Sequence, residues 1–84
     1  MPKITVSPTP VNPGDFVTIC YVPVTGGAAY MDIHFDLDGG GETGVGVRVT
    51  TLQPCVEIQV PADADQGIVS DSSGAAQDAL IVIT

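Results

Sequence analysis

Phe16-Val17-Thr18-Ile19-Cys20-Tyr21, introduced by Asn12-Pro13-Gly14-Asp15, is the stretch on which the reading of this chain turns. Successive side chains on a strand point to opposite faces, so Val17, Ile19 and Tyr21 share one face while Phe16, Thr18 and Cys20 share the other. Cys55-Val56-Glu57-Ile58-Gln59-Val60 alternates in the same way, and it carries the only other cysteine. Cys20 is out of phase with Val17 and Ile19, and Cys55 is out of phase with Val56 and Ile58. Both sulfurs therefore belong outside the core, and the two runs are read as neighbouring strands clipped by a Cys20–Cys55 disulfide on their outer face; two reduced cysteines are the alternative. The bridge would close a loop of about 35 residues, worth roughly 3.5–4 kcal/mol on the chain-entropy model. It would also imply an oxidising setting.

The rest of the composition agrees with strands. Residues 1–84 form one domain with room for a single thin core, in which roughly 60–65% of the unfolded chain's surface is buried. There is no Trp, there are seven prolines and ten glycines, and the apolar residues are mainly Val, Ile, Ala and Leu. No stretch of helical apolar spacing runs far without a Gly or Pro, so the fold class is all-β. Ten acidic residues face only Lys3 and Arg48, a formal net charge of −8. That balance disfavours nucleic acid, whose phosphates need cations, and anionic membrane surfaces for the same reason. No apolar run approaches the roughly 20 residues of a membrane span.

Taken in order, Lys3–Ser7 reads as a first strand with Ile4 and Val6 inward. Pro8 to Pro13 reads as an extended edge segment that cannot donate ladder hydrogen bonds at its prolines. After the Phe16 strand, Ala29–Leu37 places Met31, Ile33, Phe35 and Leu37 in the core and Tyr30, Asp32, His34 and Asp36 outside. Asp38-Gly39-Gly40-Gly41-Glu42 is a flexible connection, followed by a strand in which Val45, Val47 and Val49 alternate with Gly44, Gly46, Arg48 and Thr50. After the Cys55 strand, residues 61–67 read as a connection, Ile68–Ser70 as a short strand and Asp71–Asp78 as a loop. Ala79–Ile83 is a nearly continuous apolar run suited to a buried last strand or a subunit contact.

About seven antiparallel strands in two sheets fit an immunoglobulin-like β-sandwich. Pro13-Gly14-Asp15-Phe16-Val17-Thr18-Ile19 resembles the start of the second strand in bacterial and phage immunoglobulin-like domains. Gly67-Ile68-Val69-Ser70-Asp71 followed by Ala79–Ile83 resembles their last two strands. The resemblance implies an adhesive or structural role and names no active site. One departure concerns the bridge: antibody domains join the second and sixth strands across the core beside a Trp, whereas here the second cysteine falls on the fifth strand.

Chemistry-bearing clusters are few. Asp36-Leu37-Asp38-Gly39-Gly40-Gly41-Glu42 has carboxylates two apart and a glycine turn, the outline of a calcium loop. Gly40 at position five and Val47 at position twelve fail the EF-hand pattern. Asp63 and Asp65, with Asp71 and Asp78, are a second set of oxygen candidates; solvated turn carboxylates are the plain alternative. Calcium is thus the one cofactor considered. His34, between Asp32 and Asp36, is too few ligands for zinc alone, and a neighbouring carboxylate would orient its ring. Ser70, Ser72 and Ser73 lie in no nucleophile-elbow motif, so no enzyme is expected. Phe16 and Tyr30 are the exposed aromatics and hence the interface candidates; they are also the only platforms for a glycan.

The functional expectation is a non-enzymatic structural or interaction protein whose partner is another protein or itself. Its specific form is a virion-surface protein of a phage, a capsid decoration or fibre component. That form is motivated by a short chain without an export signal and by an acidic, disulfide-compatible fold. A module of a secreted bacterial adhesin or extracellular enzyme is the alternative, and a glycan-binding domain is a third. Each places the protein on a virion surface or outside the cell.

Overall fold

The computed structural model describes residues 1–84. Alternating β-branched residues separated by Gly and Pro turns give seven strands and no helix. They are β1 (Lys3–Ser7), β2 (Phe16–Val22), β3 (Ala28–Leu37), β4 (Glu42–Thr50), β5 (Cys55–Gln59), β6 (Ala64–Asp71) and β7 (Ala79–Ile81). They form two antiparallel sheets, ordered β1-β2-β5 and β4-β3-β6-β7. The apolar faces meet between the sheets, where Val17, Ile19, Met31, Ile33, Val60, Val69 and Ile81 are almost wholly removed from water.

Cys20 and Cys55 are register partners on β2 and β5 and are joined by a disulfide, with Cα atoms 4.0 Å apart. The neighbouring Tyr21 N–H donates to the Pro54 carbonyl. The cysteines thus occupy a non-hydrogen-bonded position, where opposing side chains come closest. The bridge lies on the solvent side of the sheet: Cys20 is half-buried and Cys55 exposed, while Ile19 and Tyr21 beside them are buried.

Four expectations are corrected. The proline-rich segment is more than an edge: Val11 is buried, its N–H donates to the Val82 carbonyl, and its carbonyl accepts from the Thr84 N–H. The chain leaves β1 in one sheet and bridges, in parallel, to the C-terminal residues beside the other. β4 begins at Glu42, inside the segment read as a connection, and its Val45 is 47% exposed because the four-stranded sheet is one strand wider than the sheet it packs on.

β6 is eight residues long instead of three. It includes Gly67, which pairs with Phe35 and Ile81, and it ends on Asp71, a buried strand residue instead of a loop residue. The last apolar run is not buried throughout. Ile81 is buried, but Leu80 is 64% exposed and Val82 is also exposed, because the outer face of this sheet has nothing packed on it.

Candidate functional site

The most constrained polar group in the molecule is Asp71. Tyr21 occupies a core position on β2, and a buried phenol needs a partner for its hydroxyl. It donates to Asp71 Oδ2 at 2.5 Å, across the core from one sheet to the other. Asp71 Oδ2 also accepts from the Ala76 N–H at 3.0 Å. Its Oδ1 accepts from the Ser73 N–H and hydroxyl at 2.9 and 2.8 Å. Burial works strongly against the charge of this carboxylate. The bonds from Tyr21, Ser73 and Ala76 together outweigh it and hold the pKa down at about 2. The Tyr21 pKa is raised, first by the bond it donates to Asp71, then by burial and the carboxylate's charge.

With both oxygens doubly engaged, Asp71 has no lone pair directed at a substrate or ion. Its role is to fasten β2 to β6 and to close the Asp71-Ser72-Ser73-Gly74 turn, where the Gly74 N–H donates to the Asp71 carbonyl. The strand reading misses this group because Asp-Ser-Ser-Gly has the composition of a solvated turn. The available signals were Tyr21 in phase with Val17 and Ile19, and Asp71 in phase with Gly67 and Val69.

A second cluster lies on the outer face of the four-stranded sheet. His34 and Asp36 are two apart on β3, and Glu42 is the register partner of Asp36 on β4. His34 Nε2 lies 3.2 Å from Glu42 Oε1 and 3.7 Å from Asp36 Oδ1. The partner that orients the ring is therefore Glu42 from the next strand, ahead of the sequence neighbours Asp32 and Asp36. One ligand atom from each of His34, Asp36 and Glu42 falls within 4.8 Å of the others. The group is open to solvent.

The calcium candidates are only partly brought together. Asp36 and Glu42 belong to this group. Asp38 and Asp63 meet through their backbones, the Asp38 N–H donating to the Asp63 carbonyl, and Asp65 is exposed on β6. A cage of Asp63, Asp65, Asp71 and Asp78 does not form. Asp65 and Asp71 stand near opposite ends of β6, about 20 Å apart along the strand, and Asp71 is engaged internally.

The two aromatic interface candidates occupy different surfaces. Phe16, 53% exposed, is on the outer face of the three-stranded sheet opposite Gln59. Tyr30, 55% exposed, is on the outer face of the other sheet opposite Arg48. They cannot contribute to one patch. Tyr30 instead borders a shallow depression lined also by Asp32, Gly46, Arg48 and Ser72.

No family model, curated protein or solved structure matches this chain. The assignment of function therefore rests on the geometry above. No helix is long and apolar enough to cross a membrane.

Proposed function

We propose that this chain is a non-enzymatic, immunoglobulin-like structural or interaction domain that works in an oxidising setting, on the surface of a phage particle as a capsid decoration or fibre component. The observation that carries the reading is the solvent-side disulfide between β2 and β5. It fits a thin sandwich that must keep its shape outside a reducing cytosol. The strand order supports the immunoglobulin-like part: β2 pairs with β5 and β3 with β6, and the fourth strand joins the sheet of the third. The link between second and sixth strands, a disulfide in antibody domains, is made here by Tyr21 and Asp71.

The acidic surface and the exposed Phe16 on the outer face of the three-stranded sheet favour a protein partner. A module of a secreted adhesin or extracellular enzyme shares the same disulfide argument. The depression beside Tyr30, with Asp32, Arg48 and Ser72 around an aromatic ring, is what favours a glycan ligand.

The deciding experiment is detection of the chain on purified particles by mass spectrometry, together with the genes that flank it. Stoichiometric recovery on particles and neighbouring capsid or tail genes are the expected result. Location within one long secreted reading frame would transfer the assignment to the adhesin module. Saturable binding on a glycan array, lost in Tyr30→Ala, would transfer it to glycan recognition.

A further inference from the structure

Three of the four sheet edges are short or covered. β1 is five residues long and runs into Pro8 and Pro10; β5 is also five residues long, between Pro54 and Pro61; and β7 continues into residues paired with Val11. β4 is the exception. It is nine residues long, contains no proline, and stays in unbroken register with β3 from Thr50 opposite Ala28 to Glu42 opposite Asp36. Long edges without a bulge, a proline or a cover are templates for pairing with another strand.

The backbone groups left free on this edge can be named. Leu37 N–H donates to the Gly41 carbonyl in the β3–β4 register, and bonding alternates along an antiparallel pair. Thr43, Val45, Val47 and Val49 therefore bond to β3. Glu42, Gly44, Gly46 and Arg48 direct their N–H and C=O groups outward, whereas Thr50, next in the same phase, is bonded to Gln53 through both its N–H and its C=O. Beside that open ladder lies uncovered apolar surface, with Val45 exposed and Val47 half-buried.

The charges select the occupant. Glu42 and Arg48 are the only charged residues of β4 and lie on the same outer face, symmetrically placed about Val45. Both ion pairs in the chain belong to His34, so Arg48 has no carboxylate partner of its own. Glu42, by contrast, sits in an acidic group with Asp36.

We propose that β4 pairs antiparallel with β4 of a second copy of this chain, centred on Val45, so that two four-stranded sheets become one. In that register Glu42 of each copy faces Arg48 of the other, Gly44 faces Gly46, and Val45 meets Val45. Residues with outward-pointing backbone groups meet their like, giving on the order of eight hydrogen bonds. A one-residue slip sets outward groups against groups already bonded to β3. A two-residue slip sets both charges opposite uncharged residues. The contact is smaller than a standard interface, so the dimer is weak and concentration-dependent. It is independent of whether the domain sits on a particle.

Sedimentation of the full chain over a concentration series reaching about 1 mM tests this directly, since the dimer fraction at each concentration gives the Kd. The expected result is a reversible monomer–dimer equilibrium. Glu42→Arg and Arg48→Glu should each weaken the dimer about tenfold or more, because both symmetry-related pairs become repulsive. An equimolar mixture of the two variants should recover it, since every facing pair is then Arg with Glu. Gly46→Pro removes an outward N–H and should abolish dimerisation, while thermal unfolding confirms that each variant is folded. A wild-type monomer at the highest concentration overturns the proposal. So does a dimer indifferent to both charge reversals, or a mixture that associates no better than either variant alone.

Discussion

At the scale of single residues, the Tyr21–Asp71 contact sets how stability responds to mutation and to pH. Asp71→Ala leaves the Tyr21 hydroxyl and the Ser73 and Ala76 N–H groups without their acceptor, and the expected cost is about 2–4 kcal/mol. Tyr21→Phe keeps the ring in the core and removes one of four donors, so it should cost less, about 1–3 kcal/mol. Urea unfolding of both variants measures these losses. The pH dependence follows from the signs of the two shifts. Asp71 titrates below its ordinary value of 3.8 in the fold, so its stabilisation is complete above that pH and is lost as pH falls towards about 2. Tyr21 is shifted upward, so its stabilisation is complete below its ordinary value of 10.0 and is lost as pH rises through the higher folded value. Stability should therefore plateau between these limits. Asp71→Ala should flatten the acid limb, and Tyr21→Phe the alkaline limb.

At the scale of elements, β6 shows what the amino-acid pattern conveys and what it conceals. β2, β3 and β5 are legible because β-branched residues alternate with polar ones, and the phase that buries Val17 and Ile19 also puts Cys20 outside. β6 begins Ala-Asp-Gln-Gly, which reads as a connection because nothing local reveals that Phe35 fills the space above Gly67. A Cβ at Gly67 would sit 2.8 Å from Phe35 Cε1 and 3.0 Å from Ile81 Cβ. Gly67→Ala should accordingly destabilise by about 1–3 kcal/mol through overpacking. Pairing it with Phe35→Leu should recover part of that loss, and a double-mutant cycle by chemical denaturation reads the coupling. A purely additive result would place the glycine's importance in the backbone instead of in the ring above it. The same limit applied to the candidate sites. His34 and Asp36 are visible as neighbours in the chain, but Glu42 joins them only through the β3–β4 register. Asp71 becomes a core residue only because Tyr21, fifty positions earlier, reaches it.

For the molecule as a whole, the question is what keeps a thin, acidic sandwich folded. A net charge of −8 with two cations means that compaction brings like charges together. Raising the ionic strength to about 0.5 M, where screening acts over only a few ångströms, should therefore raise the melting temperature. The disulfide acts differently. It joins residues 35 apart whose strands are already paired, and its sulfurs sit outside a core of fifteen buried residues that makes no use of them. Replacing both cysteines with alanine should leave the native core intact and release the unfolded chain from its loop, a loss of about 3.5–4 kcal/mol on the chain-entropy model. Because the released chain exposes more surface, the denaturant slope m should rise while the midpoint falls. That combination separates an unfolded-state effect from native-state damage. If the midpoint fell with m unchanged or reduced and amide exchange in β2 and β5 accelerated selectively, the bridge would be holding the native sheet together instead of limiting the freedom of the unfolded chain.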